Sequence, residues 1–311
     1  MSVAYGDAET AVAQPAERKI ASRQIAHEDL DPLADFLGHG LGYPASYYRT
    51  ILGRLEQHNT PSGFPRYGYV LTDNGVIVGA MVQIYSNVPS EHGVSVRCHM
   101  ASLCVNEAYR AYAALFFRRA LANPDVTYLN TSARPIAIPV VKAQGFSKYS
   151  SGQFLSLPLL SARRSIVSDD VRVLGASVVP DVPFEPAARQ LLVEHDAFGC
   201  IAFWCATKEA AYPFVFQKRL FKGFVPGVQV IYCRHVDDLS RFAQPVGKAL
   251  ARKGIYLMRV DANGTLDGLL GLYFDRMEPR YCKGEPPGLG DLAYTQAALT
   301  EHRRRPFSMT G

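Results

Sequence analysis

The sequence predicts an α/β (α+β) protein of two similar halves, each with a mixed, mostly antiparallel sheet flanked by helices. Three observations support this prediction. Runs rich in β-branched and aromatic residues alternate with turn residues, apolar residues recur at helical spacing between those runs, and the second half repeats the order of elements of the first. The 311 residues, of which 48% are hydrophobic, are enough for two ordinary domains.

A short strand, two helices and a hairpin open the first half. Residues 20–25 form the strand, and residues 30–41 form the first helix with Asp29 as a possible cap. Residues 46–57 form the second helix, because their apolar residues recur near helical spacing. Residues 67–85 form a hairpin around Asn74-Gly75, the strongest short hairpin signal.

The segment that follows combines a strand, a sharp turn, a helix and a second strand. The strand covers residues 94–105, the helix runs from about residue 110 to 122, and the second strand covers residues 126–132. Pro124 ends the helix because proline cannot continue it. A helix that begins straight after a strand offers unpaired backbone N–H groups and the positive end of a dipole, which together favour a pyrophosphate.

A short helix within residues 135–144 and a linker complete the first half. Gly145 suits the position after that helix, where a left-handed backbone conformation is common. Serine, arginine and aspartate accumulate near residues 160–170, which predicts the linker. The domain organisation is therefore a disordered tail (1–19), a first domain (20–160), a second domain (170–300) and a tail (301–311).

The second half repeats the order of elements without repeating the letters. It contains two paired strands, a third strand, a helix and a further strand, at residues 200–206, 211–218, 227–235, 239–252 and 255–260. These elements match residues 67–132 in order and in spacing. The alternative is a single mixed domain with extra strands.

The turn before the first-half helix resembles the acetyl-CoA-binding core of the GNAT acyltransferase superfamily. That family has Arg/Gln-x-x-Gly-x-Gly/Ala at this turn; Arg110 fits, Ala113 replaces the first glycine and Leu115 stands at the second. Gly145-Phe146 also matches the family, whose next helix usually ends in Gly-Phe. The resemblance covers residues 23–157, and it identifies the chain as a tandem of two GNAT-like halves, as in mycothiol synthase-like and Fem-type proteins. The alternative is a βαβ unit of an unrelated α/β protein.

The resemblance implies acetyl-CoA or another acyl-CoA as cosubstrate, and transfer of its acyl group to an amine. The fourth strand would present its edge to the pantetheine arm through Leu103 and Val105, with Asn130 and Ser132 on the neighbouring strand. The helix start would hold the pyrophosphate through Arg110, Ala111, Tyr112, Ala113 and Ala114. In the second half Asp237 and Asp238 stand at the matching turn. Two carboxylates repel a pyrophosphate, so only the first half is expected to bind CoA.

The candidate base is His99, eleven residues before Arg110, where some arylalkylamine acetyltransferases have a proton-relay histidine. Its usual pKa near neutrality suits deprotonation of an amine, and Arg97 stands where some relatives have a glutamate. A histidine whose hydrogen bonds are satisfied in the core is the alternative. Family members often have a tyrosine four residues before Gly145, where this chain has Val141; Tyr128 or Tyr149 could replace it as the acid.

The acceptor site would be bordered by an aromatic segment of Tyr43, Tyr47 and Tyr48, on which a flat or sugar-like acceptor could stack. The same spacing is also typical of ordinary core. A Gly/Pro-rich loop in the second half, residues 280–294, carries Arg280, Lys283, Glu285 and Asp291. It either reaches over the cleft between the halves or is a surface connection.

Composition excludes several other classes of protein. The net charge of +5 is mild, and the run Arg303-Arg304-Arg305 fits a solvated tail better than a nucleic-acid site. No apolar run approaches a membrane span, and the polar start lacks a signal core, so a cytoplasmic location is expected. The six cysteines form no C-x-x-C pair and no zinc spacing, which indicates no metal site and buried reduced thiols; a catalytic cysteine is the alternative.

The sequence therefore predicts an acyl-CoA-dependent N-acyltransferase acting on a small-molecule amine or an amino sugar, without nucleic-acid or membrane partners. Two alternatives stay open. The chain could be a non-catalytic acyl-CoA-binding or scaffold protein, because Val141 and Leu115 depart from the family pattern. It could also be a Fem-type aminoacyl transferase that uses charged tRNA, although the mild charge disfavours this.

Overall fold

The twelve strands found in the described residues lie in one sheet, in the order β1-β2-β3-β4-β5-β12-β6-β11-β10-β9-β8-β7. The structure is a computed structural model that describes residues 18–90, 93–133, 135–161 and 170–299. The strands are β1 (Ile20–Gln24), β2 (Gly68–Asp73), β3 (Val76–Ser90), β4 (Gly93–Val105), β5 (Val126–Asn130), β6 (Ser147–Ser156), β7 (Arg172–Gly175), β8 (Ile201–Ala206), β9 (Ala211–Phe221), β10 (Val225–Cys233), β11 (Leu257–Ala262) and β12 (Gly271–Lys283).

Within the described part of the chain, eight α-helices flank the sheet, so the predicted α/β (α+β) class is confirmed. They are α1 (Leu30–Leu41), α2 (Ala45–Gln57), α3 (Ala113–Ala120), α4 (Ile138–Ala143), α5 (Pro186–Ala197), α6 (Val236–Arg241), α7 (Ala243–Ala251) and α8 (Gln296–Leu299). No helix in the described ranges is long and apolar enough to cross a lipid bilayer.

The two halves exchange their last strands. β12, from the second half, lies between β5 and β6 of the first half, and β6 lies between β12 and β11 of the second. Each half thus has one parallel pair, β4·β5 or β10·β11, followed by an antiparallel strand supplied by the other half. The sequence predicts a sheet for each half; the exchange joins these two sheets into one.

Each face of the sheet is covered by a different set of helices. On one face, α1 and α2 pack through Leu37 and Leu55, and α5 packs through Leu192. On the other face, α3 packs against the first half through Phe116, and α7 packs against the second half through Val246. The strands alternate between these two layers, and therefore neighbouring residues of β4 face different helices.

Local signals place most elements of the first half correctly. Helix α1 covers the predicted residues, although the Asp29 carboxylate accepts from the Ala26 N–H and from Arg23 rather than capping the helix. The hairpin turn has positive φ angles at Asn74 and Gly75, and Gly145 is left-handed as expected. Strand β5 ends two residues earlier than predicted, at Asn130.

Two predictions need correction. The helix predicted from residue 110 begins instead as a 3₁₀ turn, Glu107–Tyr112, and α3 proper begins at Ala113. Arg280 and Lys283, predicted in a loop, belong to β12. That strand is interrupted by four residues between Asp275 and Arg280, which hides its alternation in the sequence.

The predicted domain boundaries stay predictions. Most of the predicted linker, residues 162–169, lies outside the described residues, as do most of the predicted N-terminal tail (1–17) and the predicted C-terminal tail (301–311).

Candidate active site

Two clefts open where parallel strands separate. β4 and β5 pair only from Val96·Val126 to His99·Leu129. Beyond His99, β4 continues to Val105 without β5 and pairs only with β3. A bulge follows at Ala101, where the register against β3 shifts. We call the gap between residues 100–105 and residues 130–132 the first cleft.

The second half repeats this geometry at the same offset. β10 and β11 pair from Gly227 to Gln229, and a bulge follows at Ile231, two residues after the last pair, as Ala101 follows His99. The gap beyond it, between residues 230–233 and 260–262, is the second cleft. Since the bulges correspond, Leu103 matches Cys233.

The chain itself fills the second cleft. We call residues 290–292 the plug segment. The Cys233 N–H donates to the Gly290 carbonyl at 3.2 Å, and the Leu292 N–H donates to the Ile231 carbonyl at 2.7 Å. A Cβ atom on Gly290 would lie 2.6 Å from Cys233 Sγ and 3.8 Å from Val260, so this glycine lies between the two strands. The predicted Gly/Pro-rich loop therefore continues into an inserted segment.

The first cleft has no such occupant in the part of the chain that the structure describes. There, residues 100–105 pair with β3 only, and no further backbone hydrogen bond reaches their other edge. Leu103 is 37% exposed and Val105 is partly exposed. Across the cleft, Asn130 is partly buried and accepts from the Ser132 N–H at 3.3 Å. All four residues predicted at the strand edges therefore lie at the first cleft.

The predicted pyrophosphate site has fewer unpaired backbone N–H groups than the sequence suggests. Because the 3₁₀ turn runs directly into α3, the Ala113 N–H already donates to the Arg110 carbonyl. The exposed Arg110 guanidinium pairs with Glu107 at 3.0 Å. Ala111 and Ala114 are exposed, and Tyr112 is partly buried. The small exposed side chains leave room for a phosphate to approach the backbone, but the Glu107 carboxylate repels an anion at this turn.

His99 lies at the apex of the first cleft with both ring nitrogens engaged. Nδ1 accepts from the Gln296 N–H at 3.1 Å, which leaves Nε2 as the protonated nitrogen that donates to Thr131 Oγ1 at 2.8 Å. Burial and the neighbouring charge of Arg280 lower the pKa of His99 to about 3. A ring that is neutral, fully bonded and only 2% exposed is a poor base. The geometry therefore gives no support to the predicted role of His99.

A buried polar network lies next to His99 and was not predicted from the sequence. Arg280, 5% exposed, donates to the Thr131 carbonyl and pairs with Asp261 at 3.1 Å. Its second carboxylate is Glu278, at 3.5 Å. Burial opposes the charge of Arg280, but these two carboxylates outweigh it and raise its pKa. The sequence signal was Asp261, an acid between the apolar residues Val260 and Ala262.

The two candidate acids lie in different places. Tyr128 packs in the core on the α3 face with its hydroxyl donating to the Asn123 carbonyl at 3.3 Å; His99 lies on the opposite face. Burial raises the pKa of Tyr128 to about 12. The Tyr149 hydroxyl is buried without a hydrogen-bond partner among the described residues, near Asp261 and Arg280, and burial raises its pKa. Val141, at the family's tyrosine position, is buried core.

The three predicted acceptor tyrosines form one aromatic cluster. Tyr43 stacks on Tyr47 with ring centroids 4.9 Å apart, and Tyr48 meets Tyr47 edge-on at 5.1 Å. Tyr48 is buried core, whereas Tyr43 and Tyr47 are partly exposed. The Tyr47 hydroxyl accepts from Gln296 Nε2 at 3.2 Å, and the Gln296 backbone bonds His99. Tyr47 therefore lies on the same side of the first cleft as His99.

Metal and cysteine chemistry find no support in the described residues. No group of three or more His, Cys, Asp or Glu side chains there could hold a metal ion. All six cysteines are free thiols, and burial raises the pKa of Cys98, Cys200, Cys205 and Cys233. Raised thiol pKa values disfavour the nucleophilic thiolate.

Solved structures similar to this chain include two GCN5-related N-acetyltransferases and a probable N-acyltransferase. A conserved protein of Enterococcus faecalis V583, a probable N-acyltransferase, matches with a TM-score of 0.54 at 9% identity over 85% of this chain and 72% of that chain. GCN5-related N-acetyltransferases of Anabaena variabilis (TM-score 0.53, 9% identity, 85% and 72%) and Kribbella flavida (TM-score 0.51, 12% identity, 85% and 71%) also match.

These similarities show the fold of the protein. No protein-family model matches the sequence, and no curated protein matches it either. The predicted GNAT fold is therefore confirmed by structure rather than by sequence. Because each match covers about 85% of this chain, the likeness extends over both halves.

Proposed function

We propose that the protein transfers an acyl group from acyl-CoA to an amine, and that the first cleft is the only place where it does so. The observation that supports this most directly is the contrast between the clefts. The β10 edge of the second cleft is already paired with the plug segment, whereas the matching β4 edge accepts no partner among the described residues. An amide-containing arm can add to such an edge as a strand does.

The residues of the cleft fit this cosubstrate. The pantetheine amides would pair with the backbone near Leu103, as the plug segment pairs with Cys233 in the second half. The bulge removes Ala101 from the regular ladder with β3, so its N–H is the candidate donor to the developing oxyanion. Acetyl-CoA or another acyl-CoA would supply the activated thioester carbonyl. The second half offers Asp237 and Asp238 at the matching helix start and lacks a phosphate site.

The test removes one N–H from the β4 edge. In Leu103→Pro the strand loses the N–H that would bond the pantetheine arm, because Leu103 matches Cys233, whose N–H bonds the plug segment. Calorimetry should show at least tenfold weaker acetyl-CoA binding, on the scale of one lost hydrogen bond or more. Leu103→Ala, which keeps the N–H, is the matched control and should bind nearly as wild type.

Turnover separates an enzyme from a binding protein. Release of thiol from acetyl-CoA in the presence of amines and amino sugars is expected from the wild type and not from Leu103→Pro. The second candidate function, non-catalytic acyl-CoA binding, is favoured by one observation, the fully bonded ring of His99. Tight CoA binding without turnover on any acceptor would establish that function. No binding of CoA by the wild type would overturn both.

A further inference from the structure

Three arginines from different strands meet on the sheet face that carries the apex of the first cleft. They are Arg219 of β9, Arg259 of β11 and Arg280 of β12. Arg280 has the Asp261 and Glu278 carboxylates described above. Arg259 pairs with the same Glu278 at 3.1 Å and donates Nε to Gln229 at 2.6 Å.

Arg219 differs from the other two because it has no carboxylate partner in the described ranges. Its Nη2 donates to the Ala297 carbonyl at 2.9 Å, and its Nε is buried without a partner there. Burial and the neighbouring charge of Arg259 lower the pKa of Arg219 to about 10, so the group is still charged at neutral pH. Arg219 is partly exposed but its Nε is buried, and the carboxylate that acts on it, Glu278, already pairs with Arg259 and Arg280. An anionic ligand would give Arg219 a counter-charge of its own.

The cluster is connected to the reaction centre through direct contacts. His99 at the apex bonds Thr131, and Arg280 donates to the Thr131 carbonyl. Glu278 then joins Arg280 to Arg259, next to Arg219. These contacts join the arginines to the same polar network as His99.

A second side chain near the cluster also lacks a partner. Gln153 is fully buried and donates Nε2 to Asp261 at 2.7 Å, while its Oε1 has no hydrogen-bond partner in the described part of the chain. An unsatisfied acceptor at such a position favours a ligand N–H. The cluster thus offers a cation without an ion pair of its own in the described ranges and, beside Asp261, a buried acceptor without a partner there.

The charge count selects the kind of anion. The three arginines face two carboxylates, Asp261 and Glu278, which leaves one positive charge. One charge matches a carboxylate, whereas a phosphate dianion would leave the cluster negative. The guanidinium fork also suits a carboxylate, which has two oxygens to accept from it.

We infer that Arg219, beside Arg259, binds a carboxylate of the acceptor, so that the substrate is an amine that also carries a carboxylate, such as an amino acid. This inference rests on the proposed function only in taking the ligand to be the acceptor. The anion site itself can be tested without turnover.

The test compares two probes that differ in one charge, N-acetylglycine and its neutral amide. Wild-type protein should bind the acid at least tenfold more tightly than the amide in a calorimetric titration. Arg219→Met should abolish that difference, and Arg219→Lys should keep part of it. Arg172→Met, which removes an exposed arginine paired with Asp181 far from the cleft in sequence, is the control and should behave as wild type.

Two further measurements separate the possible outcomes. Arg219→Met should melt at a higher temperature than wild type without ligand, because the removed charge shares its only nearby carboxylate with two other arginines. A merely structural arginine would give a lower melting temperature. Acetyl-CoA affinity, measured on the same samples, reports the proposed function independently. Equal binding of acid and amide by the wild type would overturn the inference even if CoA binds, and tenfold tighter binding of inorganic phosphate would overturn the assignment to a carboxylate.

Discussion

His99 joins three segments that are far apart in the sequence. Its ring connects β4 to Thr131 after β5 and to the Gln296 backbone at the start of α8. The bond to Thr131 is buried and the bond from Gln296 is partly buried, so the loss of the ring leaves two polar groups without these partners. We therefore expect the ring of His99 to matter more for stability than for proton transfer.

We expect His99→Ala to lower the free energy of unfolding by roughly 2–5 kcal/mol, since each orphaned group costs about 1–3 kcal/mol. Turnover per folded molecule should stay within about tenfold of wild type. Urea unfolding and thiol release from acetyl-CoA check the two parts. A loss of a hundredfold or more in turnover, with unchanged stability, would restore His99 as the base.

Acid should destabilise the protein through its buried histidines. Burial lowers the pKa of His99 to about 3, of His195 to about 4, and also lowers that of His58. Below the usual histidine pKa of about 6.5 the unfolded chain takes up protons that the folded chain refuses. Stability is therefore complete above about pH 6.5 and falls as the pH drops towards 4, by up to about 1.4 kcal/mol per pH unit for each histidine.

Urea midpoints at pH 7.5, 6 and 5 would measure this slope. His195→Gln should reduce this slope by the contribution of about one proton, because only two of the three buried histidines remain. Asp238 contributes the opposite sign, since burial raises its pKa and the folded state then binds its proton first. A midpoint that does not change between pH 7.5 and 5 would contradict the prediction.

At the scale of elements, the plug segment is a strand partner that the chain supplies to itself. Gly290 has φ +85° and lies against Cys233, so a side chain there is disfavoured both by conformation and by space. We expect Gly290→Ala to lower the free energy of unfolding by about 1–3 kcal/mol. Gly288→Ala, in the same loop but with open space around it, is the control and should change little.

Opening the second cleft should not create a second cofactor site. Without a phosphate-binding turn, the freed β10 edge offers only strand pairing, and Asp237 and Asp238 repel the anion. Calorimetry on Gly290→Ala should therefore still give one acetyl-CoA per chain. A stoichiometry of two would contradict the assignment of the first cleft as the only site.

Local chemistry explains which elements could be predicted from the sequence. Asn74-Gly75 sets its own turn, and the apolar residues of α1 mark one helix face, so both are visible within a few residues. β12 is not, because four inserted residues with left-handed Arg276 and Glu278 interrupt its alternation. The candidate site shows the same division. Leu103 could be placed on the β4 edge from its own strand, whereas the partners of Arg280, Asp261 and Thr131, lie on segments whose pairing with β12 no local sequence pattern indicates.

At the scale of the whole molecule, the exchange of β6 and β12 makes each half depend on the other. Residues 1–161 alone lack β12, the antiparallel partner of β5. Residues 170–311 alone lack β6, the antiparallel partner of β11. We expect neither fragment to show a cooperative thermal transition when expressed alone. Co-expressed, the two should form a one-to-one complex with the circular dichroism spectrum of the intact chain.

Chemical cross-linking and gel filtration would check this complementation. The control is the intact chain cut by a protease site placed between residues 161 and 170, which should stay associated and melt in one transition. A first fragment that folds and unfolds cooperatively by itself would show that the exchange is dispensable.

Because of the exchange, the first cleft cannot be completed during synthesis until β12 has been made. The contact between Arg280 and Thr131 spans 149 residues, and it is made by β12, the last strand in the described residues. A nascent chain that has been synthesised as far as β6 therefore contains the β4 edge but not Arg280, which lies beside it in the complete fold. Such long-range contacts form late and slowly, so a product terminated before β12 lacks the Arg280 side of the first cleft.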